Sequence, residues 1–195
     1  MLSLKKSLNI LRKTNALLEG HFVLSSGLHS SKYIQCAKLL SFPRIADKIC
    51  KSLAFKIKKK YKKIDLILAP AMGGVIIGYE IGKLLNKETI FCERVNGRFK
   101  LRRGFHIKRG ARVLIIEDVI TTGKSSLECV SLIKKSSGKL VGFASLIDRS
   151  TKKSLKIKSN VISHLKIDVP TYTSKKIPAN LKSIPITIPG SRFIK

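Results

Sequence analysis

Val113-Leu114-Ile115-Ile116-Glu117-Asp118-Val119-Ile120-Thr121-Thr122-Gly123-Lys124-Ser125 decides the fold. Four aliphatic residues in succession read as a strand buried on both faces, as in the middle of a parallel sheet. The run ends on two adjacent carboxylates and a short polar turn. From Ser125 onward, Ser126, Leu127, Val130, Leu132 and Ile133 have the spacing of an amphipathic helix. Strand, acidic pair, small-residue turn and helix together place a ligand site at the carboxyl end of the strand. Backbone N–H groups of the turn, with the helix N terminus behind them, make a cradle for phosphate. The carboxylates stand where sugar hydroxyls or a hydrated metal would meet them. Thr122-Gly123-Lys124-Ser125 also matches the end of a G-x-x-x-x-G-K-[ST] phosphate loop, but that motif needs glycine where this chain has Asp118. The alternative is a buried core strand with a chance acidic pair, which the scarcity of acids disfavours.

The rest of the composition bounds the answer. A chain of 195 residues with 44% hydrophobic content suits one α/β domain. Lys and Arg total 40 against 11 acids, a formal charge of +29. A nucleic-acid partner is one reading of that excess. Lysine filling solvated positions is the other, and it is favoured because the lysines are spread along the chain, Trp is absent and no aromatic-rich strand lies among the basic runs. The expectation is no specific nucleic acid, with the charge steering anionic substrates. Cys36, Cys50, Cys92 and Cys129 lack metal-ligand spacing and read as free thiols of a reducing cytoplasm. No apolar run approaches the ~18 residues of a membrane span. The basic, acid-poor N terminus faintly resembles a transit peptide, but Leu4, Leu8, Leu11 and Leu18 form one apolar stripe and predict a helix over 3–18, stopped at Gly20.

Along the chain, residues 20–36 predict two short strands around a Ser/Gly turn, with His21 and His29 solvated. Pro43 to Lys60 predicts a helix. Asp65 to Ala69 predicts a strand running into Pro70-Ala71-Met72-Gly73-Gly74 and a helix over 75–85, so the glycines admit an anion to the backbone. Thr89 to Cys92 is another strand. The stretch 94–105 then carries Arg94, Arg98, Lys100, Arg102 and Arg103, which as composition alone fits a solvated basic hairpin. Leu140 to Ile147 is a strand ending in Asp148-Arg149, charges that would pair with each other or cap the strand. Residues 150–160 read as a loop, 161–169 as a strand, and the proline-bearing tail as irregular chain packed over the N-terminal hairpin.

The segment from Val113 to Ser125 resembles the signature of the type I phosphoribosyltransferases. Phe22, Leu24, Ser26-Gly27 and Tyr33 resemble the N-terminal "hood" of the orotate phosphoribosyltransferases, with Ser25 where many carry lysine. The resemblance implies an α/β fold with a mostly parallel central sheet flanked by helices, as one domain over 1–195. Its core spans about 40–150, and its hood is built from about 1–39 and 151–195. It implies transfer of the phosphoribosyl group from phosphoribosyl pyrophosphate (PRPP) to orotate, with Mg²⁺ held through PRPP and water near Glu117 and Asp118 and not by direct side-chain ligation. Glu117 and Asp118 would hold the ribose and complement its developing positive charge. The PRPP site would comprise Arg94, both acids, Val119, Ile120, Thr121, Thr122, Gly123, Lys124 and Ser125, the last five holding the 5′-phosphate. Ala71, Met72, Gly73 and Gly74 would form the pyrophosphate loop, with Gly73 or Gly74 where some members have lysine. Residues 94–105 would be a mobile catalytic loop shared across a homodimer, with Lys100 and Arg103 neutralising pyrophosphate. Thr121 and Arg149 would bind orotate, the latter because a planar guanidinium suits a carboxylate. The alternatives are a purine- or uracil-specific relative, or a PRPP-sensing regulator that binds nucleic acid.

Overall fold

A computed structural model describes residues 2–24, 26–159 and 161–189. Ser25 and the end of the expected C-terminal hood segment, residues 190–195, lie outside them. In chain order the elements are α1 (Leu4–Lys13), β1 (Leu17–Val23), β2 (His29–Ile34), α2 (Cys36–Leu40), α3 (Pro43–Lys60), β3 (Leu66–Pro70), α4 (Gly73–Leu85), β4 (Glu88–Val95), β5 (Arg98–Leu101), β6 (Arg112–Ile120), α5 (Lys124–Lys135), β7 (Lys139–Asp148), β8 (Val161–Lys166), β9 (Thr171–Tyr172), a 3₁₀ turn (Ser174–Lys176), α6 (Ala179–Lys182) and β10 (Ile186–Thr187). The main sheet has the order β5-β4-β3-β6-β7-β8 and is parallel except for the β4–β5 hairpin. Helices cover both of its faces.

The aliphatic run works as two interleaved sets. Leu114 and Ile116 face a layer with Ile49, Leu53 and Ile57 of α3 and Ile77 and Ile81 of α4. Val113 and Ile115 face the other layer, with Cys129 and Ile133 of α5 and Phe143 of β7. The period of two along a strand sends alternate side chains to opposite faces, so a strand covered on both sides is apolar throughout.

Helix α4 lies close against the sheet because Gly74, Gly78 and Gly82 form a stripe at four-residue spacing. A Cβ on Gly74 would come within 3.1 Å of the Ile116 carbonyl, and one on Gly78 within 2.8 Å of the Ala69 Cβ. A Cβ on Gly82 would run into the Thr89 side chain.

The hood is a second sheet, in the order β10-β1-β2-β9. Its centre is the expected hairpin, and the tail supplies both edges as short strands, where irregular chain was expected. The first helix is shorter than its leucine stripe predicts. It ends at Lys13, and Asn15 turns the chain with φ 52, so Leu17 and Leu18 belong to β1 and Gly20 lies inside that strand. His21 and His29 are buried, not solvated. They bond each other at 2.7 Å, and His21 Nδ1 lies 3.2 Å from the Ile184 carbonyl oxygen. The division of the chain also shifts at its C-terminal side, because β8 joins the main sheet and only the chain from β9 onward contributes to the hood sheet.

Replacing Gly78 by valine forces α4 off β3. We expect a loss of about 1–3 kcal/mol, read as a lower urea midpoint; an unchanged midpoint would mean that the helix rides free of the sheet.

Candidate active site

Parallel pairing places the ends of β3, β6 and β7 side by side, and the site is built there. Strand β6 delivers Glu117 and Asp118. Strand β3 delivers Ala71 to Gly74, with a cis Ala71–Met72 peptide. Strand β7 delivers Asp148 and Arg149.

Glu117 is 8% exposed and accepts a hydrogen bond from the Ser126 hydroxyl in the first turns of α5. Burial raises its pKa to about 7, and the neighbouring Asp118 adds to the shift, while the Ser126 contacts oppose it. Burial also raises the pKa of Asp118, whose Oδ1 accepts from the Val119 N–H at 2.9 Å. Asp118 lies directly over the glycine loop: a Cβ on Gly73 would come within 2.6 Å of its carboxylate. Only glycine there lets β3 and β6 bring loop and carboxylate together. The N terminus of α4 starts at this contact, and α5 starts six residues beyond Asp118, at Lys124. Two helix N termini therefore flank the acidic pair, each with free N–H groups suited to an anion.

Thr121, Thr122 and Lys124 are exposed in the turn between β6 and α5, with Ser125 partly buried behind them. Gly123 has φ 75, and a Cβ there would strike Ile157 at 2.6 Å. The segment after β7 braces this turn: the Lys156 N–H donates to the Thr122 carbonyl at 2.9 Å, and the Ser154 hydroxyl to the Thr121 carbonyl at 3.4 Å. Val119 and Ile120 turn their side chains into the two core layers, so they offer a ligand only backbone groups.

Arg149 does not pair with Asp148, which accepts from the Ser150 N–H at 2.7 Å and faces Lys166 at 3.8 Å. The guanidinium instead lies within electrostatic reach of Tyr33 of β2 and Cys36 of α2. Burial lowers its pKa, and its Nε is buried without a hydrogen-bond partner among the described residues.

The stretch 94–105 holds the turn and second strand of the β4–β5 hairpin; a basic hairpin and a mobile loop were both expected of it. Asn96 and Gly97 have φ 50 and 75, the backbone of a tight hairpin turn, and Phe99 is buried in the second core layer. Two of its arginines, Arg94 and Arg103, are held by acids that the sequence reading overlooked. Arg94 makes a fork to Glu128 of α5 at 2.8 and 3.2 Å and lies 4.1 Å over the Phe99 ring. Arg103 makes a fork to Glu93 at 3.0 and 3.2 Å. Lys100 is exposed and pairs in register with Glu93. Ser126, Glu93, Glu128 and Tyr33 thus enter the site beside the expected residues. Only the scarcity of acids was a sequence signal for the two glutamates.

The phosphoribosyl transferase domain family matches residues 37–174. Orotate phosphoribosyltransferase of Erythrobacter litoralis is 45% identical over 182 residues, 93% of this chain and 94% of that protein. The protein of the same name in Caldicellulosiruptor saccharolyticus is 44% identical over 96% of this chain and 97% of its own. Among solved structures, orotate phosphoribosyltransferase from Aeropyrum pernix superposes with a TM-score of 0.67 at 22% identity, over 82% of this chain and 92% of that one. Adenine phosphoribosyltransferase from Saccharomyces cerevisiae does so with 0.65 at 16% identity, over 81% and 99%. These two likenesses concern the fold and do not separate the bases.

The raised pKa of Glu117 has a signed consequence. From about pH 4.5 to 7 the folded chain keeps a proton that the unfolded chain has released, so this group lowers stability as pH rises and adds no slope above about 7. Glu117→Gln should abolish that fall. Urea midpoints of wild type and variant should diverge over this window and run parallel above it; curves parallel throughout would mean an ordinary glutamate.

Proposed function

The chain belongs to the phosphoribosyl transferase family, and from that premise we propose that it transfers the 5-phosphoribosyl group of PRPP to orotate, forming orotidine 5′-phosphate and pyrophosphate in pyrimidine biosynthesis. Near-full-length identity to orotate phosphoribosyltransferases supports the reaction. The structural observation that carries the choice of base is Arg149. A half-buried arginine whose buried Nε has no partner among the described residues, within electrostatic reach of Tyr33 of the hood, asks for a carboxylate. Orotate has one; adenine and uracil do not.

The site supports a dissociative transfer. The turn from Thr121 to Ser125 and the N terminus of α5 take the 5′-phosphate. The N terminus of α4 and the loop from Ala71 to Gly74 take pyrophosphate. Asp118, between the two cradles, and Glu117 behind it take the ribose hydroxyls and oppose the positive charge that grows on the ring. Thr121 stands beside Arg149 in the orotate subsite. Arg94 and Arg103 exchange their present partners for the leaving group, and exposed Lys100 adds its charge, when the hairpin closes, which excludes water from the reacting centre.

Among the described residues no three metal-ligating side chains converge. Asp118 and Glu117 would hold a magnesium ion through substrate oxygens and water, as hard cations with few protein ligands are held. When bound it supplies charge neutralisation to the departing pyrophosphate.

A homodimer fits the surface beside the site. Met72, Ile76 and Tyr79 are 82%, 53% and 67% exposed on one side of α4 and its preceding loop, and a second copy of the chain would cover them and meet the hairpin. The free, buried cysteines suit a reducing cytoplasm. No helix of the described residues is long and apolar enough to cross a membrane.

Loss of orotate absorbance in the presence of PRPP and Mg²⁺, with adenine, xanthine and uracil as parallel substrates, tests the reaction. Orotate alone should be consumed. Asp118→Asn should lower kcat by about 10²–10³-fold, and Arg149→Gln should lower kcat/KM for orotate by about 10–100-fold, the worth of a charged hydrogen bond. Turnover of another base would remove Arg149 from recognition. In sedimentation, wild type should run as a dimer and Ile76→Glu/Tyr79→Glu as a monomer; a monomeric wild type would refute the shared surface.

A further inference from the structure

The lysines are scattered along the sequence, but the fold gathers many of them at one place. In a parallel sheet flanked by helices, every helix ends where the next strand begins, on the edge opposite the ligand site. Helix α3 ends on Lys58, Lys59 and Lys60, and the turn after it adds Lys62 and Lys63, all exposed. Helix α5 ends on Lys134 and Lys135, and Lys139 opens β7. The turns before β4 and β6 contribute Lys87, Lys108 and Arg109, also exposed.

Almost nothing offsets this charge. Asp65 at the same edge is already committed to Arg112, with a carboxylate oxygen 2.7 Å from the guanidinium Nε, and this contact holds its carboxyl well below the usual range. Glu88 is the other acid there. One or two cations complement the dipole of a helix C terminus. The five that close α3 exceed that need, and they repel one another.

We propose that this edge is a docking surface for a nucleic-acid duplex, held through its phosphate backbone and without sequence preference. Length and chemistry both fit. Six strands spaced by ~4.8 Å make an edge of roughly 25 Å, and a duplex of that length presents a negative charge about every 1.7 Å. Single-stranded nucleic acid wants exposed aromatic platforms, and the aromatic residue at this edge, Tyr61, is half-buried beside Lys58, Lys62 and Lys87 in a shallow recess of about 220 Å³. An anionic membrane surface wants large apolar side chains to insert, and among the described residues of this edge only Leu140 is exposed. The surface lies across the sheet from Glu117 and Asp118, so the duplex and the phosphoribosyl substrates bind independently.

Fluorescence anisotropy of a labelled 24-base-pair duplex tests the proposal, with salt varied at fixed pH. Wild-type log K should fall linearly with log salt. Replacing Lys58, Lys59, Lys62 and Lys63 by glutamine should flatten the slope by about 3–4 and weaken binding at least tenfold at moderate salt, with an unchanged melting temperature. Two controls remove less charge elsewhere: Lys175, Lys176 and Lys182→Gln in the tail segment of the hood, and Arg98 and Arg102→Gln on the hairpin. Both should bind nearly as wild type. Equal losses in the three variants would show diffuse attraction to the whole molecule and overturn the site. A loss confined to the hairpin variant would move the duplex to the substrate end and overturn it too. So would retention on phosphatidylglycerol vesicles with no binding of the duplex.

Discussion

Burying two carboxylates at the end of a strand that is apolar on both faces is the constraint on which the rest depends. Charged groups do not stay in such a place without compensation. Here the compensation is local. Ser126 donates to Glu117, the Val119 N–H donates to Asp118, and two helix N termini flank the pair. Each demands a backbone feature: the φ of Gly123, the missing side chain of Gly73, and the glycine stripe that lets α4 lie against β3. The sheet order, the turn and the close helix all serve one end: they hold charge in an apolar layer and leave it incompletely satisfied.

The scarcity of acids gives each of them unusual influence. Isolated surface ion pairs contribute little stability. In a chain with 40 cations and 11 acids, however, an acid decides which cations are held in a defined geometry. Glu128 and Glu93 fix Arg94 and Arg103 in forks beside the site, and Asp65 fixes Arg112 at the far edge. Most lysines have no such partner and remain solvated. The arginines of the hairpin therefore start from a definite arrangement, with ion pairs to exchange against a substrate anion.

Much of this was legible in the sequence because it depends on local pattern. The aliphatic run, the acidic pair and the two glycine turns are contiguous, so the central strands, α3, α4 and α5 and the cradle positions follow from periodicity and turn chemistry. What did not follow depends on distant chain. The stripe that predicts a helix to Leu18 is cut by Asn15, because Leu17 and Leu18 gain more from pairing with Tyr33 and Ile34 of β2. Composition suggested a hairpin over 94–105, but not the Asn96-Gly97 turn that places it. His21 and His29 look like solvated turn residues until the tail closes over them. The partners of Arg94 and Glu117 lie 34 and nine residues away on a helix face that periodicity marks only as polar.

The two edge strands of the hood come from the end of the chain: β9 pairs with β2 through Tyr172 and His29, and β10 pairs with β1 through Ile186 and His21. During synthesis the main sheet has all its strands once Lys166 has emerged, whereas the hood hairpin must wait with both edges bare. Closing contacts of such wide separation is slow. The hood sheet is therefore completed after the main sheet. A nascent chain passes through a stage in which the ends of β3, β6 and β7 stand together before the hood sheet is complete.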